Sequence, residues 1–287
     1  MKLVAVVLNW NGGRDTLEAL RSLEGVETIC VDNASTDGSD AEVEQQLPGV
    51  ELLRTGANLG FAGGNNVGIR RALERGADWV LLLNNDATAE PGLPAALERA
   101  AAARPDAGLL ACTILNPDGT VQYGGGTFNA RLGYSGRLET RRPTELRDVA
   151  RADGAAVAVS RAAVDRAGLL DESLFMYVED VDWSLRVRAA GLAVVLVPDA
   201  LVRHKGSAAS GGGRSTLNLY YDTRNTIVVA ERNAPLPWGA RAVRRGVIVG
   251  AHLAQSLSHP SRADAARAVL AGWRDARAGR LGQRSSA

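Results

Sequence analysis

Three apolar, strand-like runs near the start of the chain are each followed directly by a polar cluster: Asn9–Asn11, Asp32–Asp37 and Asn84–Asp86. Ligands of an open α/β sheet bind outside the carboxyl ends of its strands. Asn, Asp, Ser and Gly are also the usual turn residues, so any one cluster could be a simple turn. Three clusters at one predicted sheet edge favour a binding site.

Asp86 is the predicted metal ligand. It ends the segment LLLNNDA, where a strand would hold one carboxylate rigidly at the sheet edge. Mg²⁺ or Mn²⁺ bound to a diphosphate needs only one or two protein carboxylates, because phosphate oxygens and water fill the other positions. The pattern therefore predicts a divalent cation bound together with a phosphorylated ligand.

Glu179, Asp180 and Asp182 begin a predicted helix and follow two aromatic residues, Phe175 and Tyr177. Acids in the first turn of a helix interact favourably with its dipole and cap its amides, and one of the three is expected to do only that. A partly desolvated carboxylate beside another acid has a raised pKa, which suits a general base. This cluster therefore supplies the candidate catalytic base.

Four further features have both a structural and a functional interpretation. Asp32 could bind a nucleobase or ribose, or make an Asx turn. The glycine-rich segment Gly56–Gly68 suits close backbone approach to a phosphate or ribose. His204 follows a strand-like run and could be structural or a ligand. Arg224, in YYDTRN, could contact a leaving diphosphate or pack in the core.

These residues need an alternating β/α framework to bring them together. Apolar runs and helical spacing predict strands and helices in turn, at Leu3–Leu8, Thr16–Leu23, Thr28–Val31, Asp40–Leu47, Val50–Leu53, Val67–Glu74, Trp79–Leu83, Leu93–Ala103 and Gly108–Thr113. Such alternation predicts an α/β fold with a mostly parallel central sheet flanked by helices.

After Asn116 the pattern changes. Asp118–Arg142 predicts hairpins and loops, and Ala155–Ser160 predicts another strand. Lys205–Thr216 predicts a lid that closes over a bound ligand. The chain beyond Pro235 predicts two basic helices.

The composition is that of a globular protein, with 46% hydrophobic residues, 23% charged residues and a net charge of +1. No global field attracts nucleic acid, so no nucleic-acid partner is expected. Cys30 and Cys112 lie in apolar runs, which argues against a disulfide framework. The start of the chain lacks a secretory leader and no apolar run reaches about 18 residues, so we expect a cytoplasmic protein.

The motifs LNWNG, VDNASTDGS, NLGFAGGNN, LLLNNDA, MYVEDVDW, RH and YYDTRN occur in this order and resemble those of the family 2 glycosyltransferases, most of all the bacterial rhamnosyltransferase-type members. The resemblance spans roughly Lys2 to Arg232. It implies a GT-A fold with a nucleotide-binding half at 1–115 and an acceptor-binding half at 116–235. Residues 236–287 would then form a basic helical extension and tail.

Family members are inverting and usually need a divalent metal, so the resemblance also implies roles for single residues. Asp180 would be the catalytic base, with Glu179 beside it, and Asp86 and His204 would bind Mg²⁺ or Mn²⁺. Asn84 stands where the family's DxD motif has its first acid. The expected contacts to the nucleotide and diphosphate are Asn9, Asn11, Asp32, Asn33, Asn58, Gly64, Asn65, Asn85 and Arg224.

The resemblance favours dTDP-L-rhamnose as the donor, with a UDP-hexose as the next choice. The acceptor could be a cell-surface glycan, a lipid-linked glycan or a small metabolite. Two alternatives stay open. Asn84 would fit a catalytically weak sugar-nucleotide-binding protein, and a nucleotidyltransferase would need a phosphate loop that NWNGGR matches poorly.

The segment Trp238–Leu257 carries arginines among aliphatic residues. This pattern predicts either a basic amphipathic helix on an anionic membrane, at the inner face of the cell membrane, or a helix packed on the catalytic domain with a solvated arginine face.

Overall fold

The computed structural model describes residues 1–137, 141–206 and 215–284. The strands are β1 (Leu3–Asn9), β2 (Glu27–Asp32), β3 (Glu51–Arg54), β4 (Trp79–Asn84), β5 (Ala87–Ala89), β6 (Ala107–Leu115), β7 (Val121–Tyr123), β8 (Gly126–Asn129), β9 (Tyr134–Arg137), β10 (Arg147–Asp148), β11 (Ala156–Ser160) and β12 (Ala193–His204). The helices are α1 (Gly13–Arg21), α2 (Ser39–Gln46), α3 (Gly60–Glu74), α4 (Leu93–Ala103), α5 (Arg161–Ala167), α6 (Glu179–Ala189), α7 (Thr216–Asn233), α8 (Trp238–Ser256) and α9 (Arg262–Ala278), with a 3₁₀ turn at Glu172–Leu174.

One large sheet runs through the molecule in the order β10-β12-β6-β11-β4-β1-β2-β3. The pairs β1–β2, β1–β4, β2–β3 and β6–β12 are parallel, and β11 runs antiparallel between β4 and β6. Each predicted strand of the alternating half is present, and so is the predicted mostly parallel order. The carboxyl ends of β1, β2, β4 and β12 therefore lie at the same edge of the sheet.

The central strands are apolar throughout because helices cover both faces of a parallel sheet. Val4–Val7 of β1 and Val80–Leu83 of β4 are buried in one continuous core. Cys30 of β2 and Cys112 of β6 are buried free thiols, in agreement with the prediction that they form no disulfide framework.

The glycine-rich segment predicted as a loop is helical over most of its length, because α3 begins at Gly60. Its glycines let the helix lie directly on the sheet: a Cβ atom at Gly68 would stand 2.3 Å from Val6 Cγ1. Close packing of α3 on the sheet accounts for Gly64 and Gly68 of this segment. Only its first residues, before Gly60, form a loop.

The predicted pair of helices beyond Pro235 is confirmed, with α8 and α9 packed against α7. A Cβ atom at Gly272 of α9 would lie 2.4 Å from the Tyr220 carbonyl oxygen, so α9 approaches the backbone of α7 closely. Among the described residues, no helix combines the length and the apolar character that crossing a membrane requires.

The predicted solvated arginine face of α8 is wrong for Arg244 and Arg245, whereas Arg241 is partly exposed. Arg244 is buried and donates to the carbonyl oxygens of Ala130 and Ala234, and Arg245 pairs with Glu231. The exposed residues of α8 carry no charge at all and include Trp238, Val243 and Val247. Arg244 and Arg245 turn inward because backbone carbonyl groups and a carboxylate bind their guanidinium groups.

Candidate active site

A cavity of about 880 Å³ opens at the sheet edge where the carboxyl ends of the strands meet. Seven residues predicted from the sequence to bind ligand, metal or proton line it: Asn33, Asn58, Asn85, Asp86, Glu179, Asp180 and His204. They come from parts of the chain far apart in sequence. The sheet topology therefore assembles the site that the separate motifs predicted.

Asp86 and His204 lie close together at the carboxyl ends of β4 and β12. Ala87 of β5 is paired with His204, the last residue of β12, so the sheet register places Asp86 next to the histidine. His204 Nε2 lies 3.1 Å from Asp86 Oδ1. The other ring nitrogen, Nδ1, lies 2.6 Å from Oε1 of Gln122, which orients the ring.

The imidazole of His204 responds to two opposing influences. Burial lowers its pKa, whereas the hydrogen bond and the negative charge of Asp86 raise it, and the net effect is a pKa above the usual value. The carboxylate of Asp86 therefore favours the protonated form of the imidazole.

The chemistry of the Asp86–His204 pair is compatible with a divalent cation. Asp86 offers a carboxylate oxygen, the type of ligand that Mg²⁺ and Mn²⁺ prefer, and His204 offers a ring nitrogen beside it. Within the described ranges there is no group of three or more His, Cys, Asp or Glu residues that could hold a metal. The pair could thus supply two ligands, and phosphate oxygens and water would supply the rest.

The turn that leads to the acids is strained. Phe175, Tyr177 and Val178 have φ values of 66°, 64° and 69°, which are unfavourable for aromatic and β-branched residues. Among the described residues, the two other non-glycine residues with positive φ are Asn11 and Ala34, and both follow strands at the cavity edge. Backbone strain of this kind is concentrated at functional sites.

Asn225 of α7 holds this turn in place. Its Nδ2 lies 2.9, 2.9 and 2.8 Å from the carbonyl oxygens of Leu174, Met176 and Tyr177. The side chain is completely buried. The YYDTRN motif thus positions the acids of α6 from behind, a role that sequence reasoning missed because the three acceptors belong to the backbone.

Asp180 and Glu179 occupy the first turn of α6. Asp180 accepts hydrogen bonds from the backbone N–H groups of Gly154 and Val181 at 3.0 and 2.7 Å, and Arg151 Nη1 lies 3.9 Å from it. Burial raises the pKa of Asp180, Arg151 counteracts that rise, and the net direction is upward. A base with a raised pKa is better matched to proton transfer near neutral pH.

Glu179 is only 5% exposed, and in the part of the chain that the structure describes its Oε2 has no hydrogen-bond partner. Burial and then the neighbouring charge of Asp180 raise its pKa well above the ordinary value. Asp182 behaves differently, since it pairs with Arg186 one helical turn away at 2.7 Å. Asp182 is therefore the structural member of the three acids.

Six predicted ligand contacts lie outside the cavity lining: Asn9, Asn11, Asp32, Gly64, Asn65 and Arg224. Asp32 accepts from Asn9 Nδ2 at 2.9 Å and from the Ser35 amide at 3.1 Å. Asn9 Nδ2 also donates to Ser35 Oγ, and Asn11 Oδ1 accepts from the Thr36 amide, so both residues link the end of β1 to the loop after β2. These residues shape the rim in this structure and do not face the cavity.

Gly64 and Asn65 belong to α3, where Asn65 Nδ2 donates to the Phe61 carbonyl oxygen at 2.9 Å. The guanidinium of Arg224 is buried and donates to Asn225 Oδ1 and to the carbonyl oxygens of Leu174 and Gly282, at 2.7–2.9 Å. Its three nitrogens are engaged with the chain, so this structure does not place Arg224 at a diphosphate.

Several cavity residues were not predicted. Trp10 stands between Asn9 and Asn11 in the sequence and lines the cavity together with Asn33 and Asn58. Gln122 orients His204, and Arg284 enters from the segment that follows α9. Trp10 could have been found from its place in NWNG, whereas Gln122 and Arg284 have no local sequence signal.

The predicted lid Lys205–Thr216 falls largely outside the described residues, which omit 207–214. Of its described part, Lys205 makes salt bridges with Asp15 and Glu18 of α1, and Gly206 lines the cavity.

Residues 10–172 match the family model described as glycosyl transferase family 2. The N-acetylglucosaminyl-diphospho-decaprenol L-rhamnosyltransferase of Mycobacterium tuberculosis is 33% identical over 264 residues, which cover 80% of this chain and 86% of that protein.

Two solved structures share the fold. TarS of S. aureus in complex with UDP-GlcNAc aligns with a TM-score of 0.62 and 16% identity, over 96% of this chain and 81% of that one. The mannosyltransferase PcManGT of Pyrobaculum calidifontis in complex with GDP-Man and Mn²⁺ aligns with a TM-score of 0.56 and 16% identity, over 96% of this chain and 75% of that one. These alignments confirm the predicted GT-A fold.

Proposed function

Because the chain belongs to glycosyl transferase family 2, we propose that it transfers L-rhamnose from dTDP-L-rhamnose, with inversion, to a hydroxyl group of a lipid-linked glycan. Glycosyltransferase activity follows from the family. The rhamnosyl donor and the lipid-linked acceptor are supported by the 33% identical relative, whose name states both the sugar and a diphospho-decaprenol acceptor. A UDP-hexose is the second choice of donor.

One observation carries the proposal: the Asp86–His204 pair and the Asp180 carboxylate line the same cavity. An inverting transfer needs a stabilised diphosphate leaving group on one side of the sugar and a base for the acceptor on the other side. Asp86 and His204 would hold Mg²⁺ or Mn²⁺, which supplies electrostatic stabilisation to the leaving diphosphate when bound.

Asp180 would accept the proton of the attacking hydroxyl. Its two backbone N–H donors fix the orientation of the carboxylate, and the strained turn before α6 fixes its position. Glu179, with a raised pKa and an unpartnered oxygen, suits hydrogen bonding to a sugar hydroxyl. Trp10, Asn33, Asn58 and Asn85 would surround the nucleotide and diphosphate, by an aromatic surface and amide groups.

We also propose that α8 lies on a membrane surface through its fully exposed, uncharged residues. Trp238, Val243 and Val247 are 79, 67 and 54% exposed. A strip along a 19-residue helix covers roughly 300 Å², well below the ~800 Å² per partner of a stable protein interface. A lipid surface has no such minimum area, and Trp is favoured at the membrane–water boundary.

The test of the chemistry is Asp180→Asn. This substitution keeps the shape of the side chain but removes the proton acceptor, so turnover should fall about 10²–10⁴-fold. Binding of dTDP-L-rhamnose in the presence of Mn²⁺, measured by thermal shift, should be unchanged. Asp165→Asn, on the exposed face of α5, serves as the control. Turnover of Asp180→Asn equal to that of the control would exclude Asp180 as the base.

A further inference from the structure

The segment Gly279–Arg284, which follows α9, returns to the cavity wall. The Gly282 carbonyl oxygen accepts from Arg224 Nη1 at 2.7 Å, and the Gly282 amide donates to the Ser173 carbonyl oxygen at 2.6 Å. The Arg284 amide donates to the hydroxyl oxygen of Tyr221 at 2.8 Å. Three backbone hydrogen bonds thus hold this segment against α7 and the turn before α6.

Arg284 is the only Arg or Lys among the described residues that line the cavity. Its guanidinium carbon lies 4.6 Å from the centre of the Tyr220 ring, and the side chain is exposed. Within the described ranges no carboxylate is paired with it in an ion pair. Stacking on Tyr220 restricts the guanidinium while leaving its N–H groups able to bind an anion.

The wall beside Arg284 is apolar. Leu217 and Met176 line the cavity there, and Tyr221 stacks on Phe175 with ring centres 5.5 Å apart. The strained turn that carries Phe175 leads directly into Asp180, the proposed base for the acceptor. This apolar wall therefore leads along the chain to the proposed base for the acceptor.

We propose that Arg284 binds the diphosphate of an acceptor that also carries an apolar chain, and that Leu217, Met176 and Tyr221 contact the first part of that chain. This inference rests on the proposed function and adds the site at which the acceptor is recognised. A guanidinium makes two parallel hydrogen bonds to phosphate oxygens, which gives both affinity and orientation. In this proposal the diphosphate of the donor lies at Asp86 and His204, and that of the acceptor lies at Arg284.

The test compares wild type with Arg284→Gln and Arg284→Lys, using Arg277→Gln as a matched control, because Arg277 is exposed on α9 and does not line the cavity. Two acceptor probes are used: GlcNAc-diphospho-farnesol, and farnesyl β-GlcNAc, which lacks the diphosphate. We expect Arg284→Gln to raise the KM for the first probe about 10–100-fold, as the loss of a charged hydrogen bond implies. The KM values for the second probe and for dTDP-L-rhamnose should stay unchanged, and Arg284→Lys should recover part of the affinity.

Equal effects of Arg284→Gln on both probes, or an effect on the donor KM alone, would overturn the inference. Calorimetric binding of farnesyl diphosphate gives a second readout that needs no turnover. Wild-type protein that hydrolyses the donor but does not bind farnesyl diphosphate would exclude the acceptor site and leave the proposed transfer chemistry standing. Absence of donor hydrolysis, together with Arg284-dependent binding of farnesyl diphosphate, would count against the proposed transfer chemistry and leave the acceptor site standing.

Discussion

At the scale of single residues, Glu179 and Asp180 show a conflict between the fold and the site. Two neighbouring carboxylates in a buried first turn repel each other, and burial raises the pKa of both. A hydrogen bond to each oxygen would relieve this, yet in the described part of the chain Glu179 Oε2 has none. A buried carboxylate oxygen without a hydrogen-bond partner lowers the stability of the fold, and it is retained where a substrate provides the missing partner.

Glu179→Gln should therefore stabilise the protein at pH values above the pKa of this side chain in the unfolded chain. The folded pKa lies above that of the unfolded chain, so the folded state loses stability as the pH rises past the unfolded value of ~4.3. We expect the variant to gain about 1–3 kcal/mol in the free energy of unfolding near pH 7.5 and almost nothing near pH 4. Denaturant unfolding at both pH values measures the difference.

Glu172→Gln is the matched control with the opposite sign. The hydrogen bond from Asn66 lowers the pKa of Glu172, with burial acting against it and Arg70 adding to the lowering. Its carboxylate therefore adds stability above the unfolded pKa and loses that contribution as the pH falls through the folded pKa. Glu179→Gln behaving like Glu172→Gln at neutral pH would contradict the assignment of a destabilising buried charge.

At the scale of elements, α7 supports the site through Arg224 and Asn225, although neither of these two residues lines the cavity. Asn225 bonds three carbonyl groups of the turn that carries Phe175, Tyr177 and Val178. These residues adopt left-handed backbone conformations that are unfavourable when unsupported. By holding this turn, α7 also fixes the position of the first turn of α6, which carries the proposed base.

Asn225→Leu should remove this support with little change in volume. We expect the free energy of unfolding to fall by about 1–3 kcal/mol and turnover to fall at least ~10-fold, because Asp180 would lose its fixed position. Asn233→Leu is the control, since Asn233 on the same helix makes one hydrogen bond, to the Val229 carbonyl oxygen. Turnover of Asn225→Leu equal to that of Asn233→Leu would show that the turn needs no such support.

The same turn shows how far the sequence alone could lead. The apolar runs of β1, β2 and β4 predicted the sheet, and the polar residues that follow them predicted Asp86, Asn33 and Asn85 at one edge, because strand ends are set by local pattern. The role of Asn225 could not be predicted, since its three acceptors are carbonyl groups about 50 residues earlier. Likewise, Asp32 and Arg224 have the residue types of ligand contacts but satisfy the chain's own polar groups.

At the scale of the whole molecule, α8 and α9 follow α7 and form a surface outside the cavity lining. Two arginines of α8 turn inward, where Arg245 pairs with Glu231 and Arg244 binds backbone carbonyls. Arg241 is partly exposed, and the fully exposed residues of the helix are all uncharged. A membrane contact made by these fully exposed residues would depend on apolar burial and hardly at all on anionic lipid, which distinguishes it from a basic amphipathic helix.

The double substitution Val243→Ser, Val247→Ser should accordingly weaken binding to neutral phosphatidylcholine vesicles about 10–100-fold, since it removes two branched apolar side chains from the contact. Wild-type binding should change little when a third of the lipid is replaced by phosphatidylglycerol or when salt is raised. Co-sedimentation with vesicles measures both effects. The control is Ala103→Lys, an exposed position at the end of α4.

Three outcomes would count against this assignment. Binding that requires phosphatidylglycerol would mean that charge holds the protein at the lipid, and binding equal in wild type and the double variant would place the contact elsewhere. A dimer in light scattering that the double variant dissociates would mean that a second copy covers the face, although a strip of roughly 300 Å² is small for that purpose. Retained turnover of the double variant on the detached, short-chain acceptor, together with lost turnover on acceptor embedded in vesicles, would connect α8 directly to delivery of the lipid-linked substrate.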